Sequence, residues 1–435
     1  MARSSQVNSH QAIEIDKLAA FVGIDWGDRE HAGCLCAVGS DKLEEFTLKH
    51  KPAELDNWAI ALRKRFQGRT VVVCLEQSKG PLIFALLKYE FLALCPINPV
   101  QLANYRKAVC PSNAKDDPTD AALILDFVRK HPENVRVWRP DDADARLIGM
   151  MGEGRRDLVD ERSGLANTLR SHLKHYFPQA IEILGGELTT NVACEFLKKW
   201  PTLEKLCRAK THSIRKFFYA HNCRSEKRMT ERFELIDAAK PLTTDPAVNE
   251  YYREMTLAAV AQLKALQAPI RNLETRQAEL MSQQSDAVIF NSLPGAGKVL
   301  APRLLAAFGT DRNRYQSAAE MQTYSGAAPV TKRSGKTTIV HWRWACPKFL
   351  RQTFHEFALH SRGSSAWAKA FYEMKRADGY NRHAALRMLA YKWIRIIFRC
   401  WQDRTLYDEA KYLEALRRSD APLLKYLAKN ACTAQ

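Results

Sequence analysis

No apolar run in this 435-residue chain approaches the ~20 residues needed to span a bilayer. The opening MARSSQVNSHQAIEIDK also lacks the apolar stretch of a secretory signal. The expected location is therefore the cytoplasm, with no membrane partner. The 11 cysteines are odd in number and show no zinc-ligand spacing. Cys34 and Cys36 form a C-x-C without a second pair nearby, so the cysteines are expected to be reduced and mostly buried. A complete phosphate-binding loop is missing as well. Before Gly297-Lys298, the position that should hold the first glycine is Ser292, and Val299 stands where a serine or threonine is required. Acidic residues are the scarce charge: 48 Asp and Glu face 66 Lys and Arg, for a net charge of +18. A surface so basic suits a polyanionic partner, of which nucleic acid is the commonest.

Residues 1–18 read as a flexible lead-in. Residues 19–140 carry strand and helix signals in alternation. Phe21-Val22-Gly23-Ile24-Asp25, His31 to Val38 and Glu44 to Lys49 suggest a three-stranded meander, and Pro52 to Phe66 has helical spacing. The β-branched run Thr70 to Leu75 suits a strand buried on both faces. A helix from Pro81 and a strand near Phe91 to Ile97 then imply a parallel pair with a right-handed crossover. The pattern is that of a ribonuclease-H-like α/β domain. Over 141–287 the strand signals vanish. Leu158, Leu165, Leu169, Leu173 and Phe177 suggest one long helix, and Leu263, Leu266, Ile270, Leu273 and Leu280 occupy heptad positions in a second. This is expected to be a helical, coiled-coil insert whose Arg155, Arg156, Arg170 and Lys174 are available to nucleic acid. A mostly helical domain over 288–402 follows, and 403–435 reads as a charged tail with a weak helix and a frayed end.

Asp25 closes the first strand and Glu76 closes the strand after the first helix, so both fall at one edge of a parallel-type sheet. Asp117 and Asp120 lie three apart at the start of a helix opened by Pro118, so they share a face. Asp116 is the rival of Asp117, and Asp28, in the turn, that of Asp25. Acids gathered in this way repel unless cations compensate them. Two divalent ions about 4 Å apart would do so and would act on a phosphodiester. Oxygen-only ligands select Mg2+ or Mn2+.

Leu293-Pro294-Gly295-Ala296-Gly297-Lys298 resembles the turn of a helix-hairpin-helix, whose amides hold a DNA phosphate; a plain helix–helix turn is the alternative. Further on, Thr331-Lys332-Arg333-Ser334-Gly335-Lys336 reads as a polar loop with a serine among cations. Such a serine is either a phosphate contact or a nucleophile toward phosphorus. His341, Arg343, Lys348 and Arg351, interleaved with Trp342 and Trp344, suit nucleic-acid binding by charge and stacking; core tryptophans are the alternative.

In order along the chain these motifs resemble the DEDD transposases of bacterial insertion sequences, specifically the insertion-sequence one-ten family with its eleven-eleven subgroup. The residues that carry the resemblance are Gly23 to Gly27, Glu76, Lys115 to Ala121, the glycine turn at Leu293, Tyr324 to Pro329 and Ser334 to Lys336. The resemblance selects Asp117 over Asp116 and implies a RuvC-like N-terminal domain, a coiled-coil region and a C-terminal transposase domain. It implies Asp25, Glu76, Asp117 and Asp120 as metal ligands, and Ser334 as a nucleophile that links covalently to DNA, ahead of Ser325. It also implies a bridge RNA pairing with donor and target DNA, and assembly as dimers to tetramers. Nucleic-acid contacts are expected at Lys115, Gly295, Gly297, Lys298, Lys332, Arg333, Lys336 and Arg343. A site-specific DNA invertase, a RuvC-like junction nuclease and a non-catalytic nucleic-acid binder are the competing readings.

Overall fold

The computed structural model describes residues 18–76, 80–110, 117–335 and 337–432. The chain divides into two compact units, Met1–Pro140 and Asp141–Gln435. In the first, β1 (Leu18–Asp25), β2 (Glu30–Ala37) and β3 (Glu44–Lys49) are followed by α1 (Pro52–Arg65), β4 (Thr70–Leu75), α2 (Pro81–Leu86), β5 (Leu92–Pro96), α3 (Pro99–Val109) and α4 (Asp117–Lys130). The sheet order is β3-β2-β1-β4-β5. The first three strands pair antiparallel, while β4 runs parallel to both β1 and β5. This is the meander followed by crossovers that the strand and helix periods imply. Leu18, assigned above to the lead-in, is buried as the first residue of β1.

One contact sets how this unit is layered. A Cβ built on Gly23 would lie 2.4 Å from the carbonyl oxygen of Ala121 and 2.7 Å from the amide nitrogen of Leu125. The backbone of α4 therefore lies directly against β1, an approach only glycine permits. Cys34 and Cys36, alternate residues of β2, pack under the same helix with Ala121 and Leu125. The C-x-C is thus core, as its strand setting suggested.

The second unit is built on two long helices, α5 (Ala143–Tyr176) and α11 (Pro246–Gln283). They run antiparallel, since Arg155 meets Glu274 near one end and His175 stacks on Tyr252 near the other. Between them the chain forms α6 (Gln179–Ile183), α7 (Asn191–Lys199), α8 (Leu203–Cys207), α9 (Thr211–Ala220) and α10 (Glu226–Asp237). These close a core with Leu169, Leu173, Val260 and Leu263. Of the heptad positions, Leu263, Ile270 and Leu280 are buried. The polar interruption Gln277 is buried too, and its amide donates to the Ile148 carbonyl at 2.9 Å. A buried amide so satisfied costs little.

The other ends of α5 and α11 enter a second core with α12 (Ala287–Asn291), α13 (Gly297–Phe308), α14 (Ala318–Tyr324), α15 (Lys348–Ser361), α16 (Ala366–Ala377), α17 (Arg382–Asp403), α18 (Glu409–Arg418) and α19 (Leu423–Cys432). Between α14 and α15 stands a hairpin, β6 (Val330–Ser334) and β7 (Thr337–His341). Two expectations need correction. The serine segment is a hairpin rather than a loop, because Thr337 to Val340 is a β-branched run that supplies a partner strand. Residues 403–435 are not a frayed tail through 432. Leu416 and Leu423 join the core, the Tyr412 ring packs at a tilt against Trp367, and Trp367 Nε1 donates to the Tyr407 hydroxyl at 2.7 Å. The apolar anchors there are few and widely spaced, which hides them behind the charges.

Gly23→Ala should destabilise the N-terminal unit by about 2–3 kcal/mol, because backbone rather than a flexible side chain must move. Gly154→Ala, with open space at the new methyl in α5, should instead be neutral or stabilising by up to about 1 kcal/mol. Urea unfolding of both variants checks the contrast.

Candidate active sites: an acidic sheet edge and a serine hairpin

The parallel register sets Ile24 beside Leu75, so Asp25 and Glu76 follow as neighbours at the carboxyl edge of the sheet. Side chains alternate along strands. Gly23 lies under α4, and so does Cys74, which packs with Ile124 and Phe127; two residues on, Asp25 and Glu76 are on that same face. Asp120 precedes Ala121, the residue whose carbonyl meets Gly23. Two strand ends and one helix start thus put Asp25, Glu76 and Asp120 on the same side of the sheet. Asp120 is buried, while Asp117, at the first position of α4, is exposed. The exposed Asp28 sits in the β1–β2 turn. Lys115 and Asp116 lie outside the described residues.

Asp120 Oδ1 is 2.6 Å from Arg106 Nη2 of α3. This oxygen is shut from solvent and accepts no hydrogen bond among the described residues, so the contact is an ion pair. Arg106 carries no signal along the chain, since an ion pair between two helices has no spacing rule. Among the described residues no three carboxylate, imidazole or thiol groups gather closely enough to hold a metal ion. What fits a hard divalent ion is the all-carboxylate donor set; the Asp120 oxygen nearest Arg106 is already paired with that cation.

In the hairpin, Ser334 pairs with Thr337 and ends β6, with Gly335 (φ +54°) opening the turn. Ser334 is exposed. Alternation puts Lys332 on its face and Arg333 on the opposite one, so these two cations cannot flank the serine together from one strand. Lys336 lies outside the described residues. Ser325 is buried, with its hydroxyl donating to the Gln322 carbonyl, which removes it as an accessible nucleophile. The glycine turn is only partly free for phosphate. A Cβ on Gly295 (φ +78°) would meet the His360 backbone at 2.8 Å, so this residue serves close packing; Gly297 and Lys298 remain exposed. Arg343 donates to the Ala328 carbonyl at 3.3 Å and braces the segment after the hairpin. Arg155, Arg156 and Arg170 are likewise engaged, with Glu274, with Asp160 and Glu356, and with the Gly186 carbonyl. Trp342 and Trp344 are not core. They stack on each other with centroids 4.9 Å apart, and Trp344 is 72% exposed.

Residues 22–178 match the DEDD transposase model of the IS110 group, and residues 287–373 match the family described as transposase IS116/IS110/IS902. Together they span more than half of the chain, from the acidic edge to beyond the serine hairpin. The chain belongs to the IS110 family of insertion-sequence transposases. A mini-circle protein of Streptomyces coelicolor assigned as the transposase of IS117 is 28% identical, over 95% of this chain and 99% of its own length. The uncharacterized 43.6 kDa protein of insertion element IS110, also from Streptomyces coelicolor, is 24% identical over 91% and 97%. The uncharacterized 42 kDa protein of insertion element IS900 from Mycobacterium paratuberculosis is 23% identical over 90% and 97%. As a transposase the chain acts on DNA, and none of its described helices is long and apolar enough to cross a membrane.

This transposase also carries a buried cluster beside the Asp25 edge that sequence reasoning passed over. His31 of β2 stacks on Trp26, its Nδ1 accepts from the Gly27 amide at 3.2 Å, and its Nε2 lies 3.0 Å from His50 Nδ1. The cluster ties down the turn that follows Asp25. Burial first, then the neighbouring His50, pushes His31 down to about 4. Its folded value is lower than its unfolded one, so the unfolded chain binds more protons between these values. Stability is therefore full above pH ~6.5, falls as pH drops toward about 4, and levels off below, with up to about 3 kcal/mol at stake. His31→Gln should flatten that limb of the wild-type stability–pH curve; a parallel loss in both proteins would refute the assignment.

Proposed function

We propose that this transposase cuts and rejoins DNA with two chemically different centres, under guidance of a bridge RNA from its own element. In this reading the N-terminal unit is a RuvC-like domain whose Asp25, Glu76, Asp117 and Asp120 hold Mg2+ or Mn2+, with room in the chemistry for two ions. Bound there, the metal would neutralise the gathered carboxylates and polarise phosphodiester oxygens. The support is the shared face of Asp25 and Glu76 with the start of α4 above it. Asp117 and Asp120 lie in the first turn of α4, where the helix dipole favours negative charge.

Ser334 is the proposed nucleophile, and its exposed place at the end of β6 is the observation that carries the reading. Its Oγ would form a bond to phosphorus as the bond from phosphorus to one sugar oxygen breaks. The departing hydroxyl takes up a proton, and rejoining reverses the exchange with a different strand. Lys332, on the same face of β6, would hold the phosphate's charge. Gly297 and Lys298 at the start of α13 would hold backbone phosphates, and the net charge of +18 suits a complex of protein with DNA and RNA. Dimers to tetramers would bring serines and acidic edges of different protomers to one junction.

Plasmid excision assays with element ends and RNA supplied test this. Ser334→Ala and Asp25→Asn should each lower junction formation by about three orders of magnitude or more. Ser325→Ala, at the buried serine, should stay within a few-fold of wild type, and omission of the RNA should abolish excision. Unchanged excision by Ser334→Ala would refute the serine reading.

A further inference from the structure

Behind the hairpin lies a cleft of about 290 Å3 that the functions above do not use. Its apolar floor is formed by Ala327, Phe354 and Ala390. Three permanent cations, Lys348, Arg351 and Arg387, and two imidazoles, His355 and His383, surround it, and no carboxylate lines it among the described residues. Glu356, next along α15, turns instead to Arg156 and Arg303. Cations brought together without counter-charge repel one another, so the arrangement favours an anionic occupant.

A second feature gives that occupant a flat part. Trp342 forms one wall, with Arg387 4.4 Å and Arg351 5.1 Å from its ring and Trp344 stacked on it. The Trp342 indole N–H is shut from solvent and has no hydrogen-bond partner among the described residues, whereas a buried indole N–H ordinarily finds one. His355 and His383 sit as a stacked pair with ring nitrogens 3.3 Å apart, presenting both donor and acceptor capacity. An aromatic wall, guanidinium groups and a small number of polar ring atoms around a space of this size match one nucleotide taken out of a duplex. Trp344 and the arginines already cover the Trp342 ring, so the base would stack on a guanidinium plane that Trp342 backs, and its phosphate would meet the remaining cations.

We propose that this cleft binds a single unpaired nucleotide of the DNA or RNA that the transposase handles. The inference rests on the chain acting on nucleic acid, but not on Ser334 being the nucleophile. Bromouracil-containing single strands of about six nucleotides, one DNA and one RNA, are photo-crosslinked to the full-length protein, and the adducts are mapped by mass spectrometry. Affinities are measured in parallel for these strands and for a blunt DNA duplex. Crosslinks should map to the peptides carrying Trp342 or Arg387. Trp342→Ala and Arg387→Gln should each weaken single-strand binding by about tenfold while duplex binding stays within about twofold. The preferred strand type tells which nucleic acid supplies the nucleotide. Thermal melts matching wild type keep a folding defect from imitating the result. Crosslinks elsewhere together with unchanged affinity in both variants would overturn the proposal, as would an equal loss of duplex binding. Ser334→Ala should bind the single strands normally, so a failure of the serine chemistry leaves this outcome separately readable.

Discussion

The approach of α4 to β1 over Gly23 is the contact on which the N-terminal unit depends. A side chain there would lift the helix and carry Asp120 away from the strand ends. Without one, the helix backbone settles on the strand, and Ala121 and Leu125 close over Cys34 and Cys36. The carboxyl ends of two adjacent parallel strands then share a corner with the start of a helix. The charge gathered there is balanced in part by Arg106, whose pairing with Asp120 makes the corner an electrostatic as well as a packing problem.

The second unit solves a different problem, which is to hold an exposed hairpin on a stiff base. α5 and α11 each run through two cores, one around Leu169 and Leu263 and one around Ile148 and Leu280, so the two cores are parts of one frame. Buried polar contacts fix the register of that frame. Gln277 reaches the Ile148 carbonyl, and Arg303 reaches Thr353 and Glu356 from within the core. The hairpin with Ser334 is carried on this base, with its strands exposed and its exit braced by Arg343 on Ala328.

Much of the N-terminal unit was legible in the sequence because its signals are local. The β-branched run Thr70 to Leu75 reads as a buried strand, and the acids that end strands can be counted along the chain. The long helices were legible for the same reason, through heptad spacing. What escaped depends on distant partners. Arg106 is fourteen positions from Asp120 and on another helix; His31 and His50 meet only because β2 and β3 pair. The terminal helices are held by single apolar residues among charges, and the hairpin needed Thr337 to Val340 to be seen as the partner of a strand that is itself polar. Arg155, Arg156 and Arg170 looked available because sequence reports charge and not what neutralises it.

The central claim is a division of labour, with a serine that takes the DNA strand covalently and an acidic edge that makes this possible. It is tested most directly by denaturing the protein after incubation with labelled element-end DNA, its RNA and Mg2+, then mapping any attached nucleotide by mass spectrometry. A phosphodiester adduct is expected on the peptide containing Ser334, absent when Asp25 is replaced by Asn. Free cleaved ends that require Asp25, with no adduct on any serine, would contradict it and leave metal-dependent hydrolysis as the chemistry.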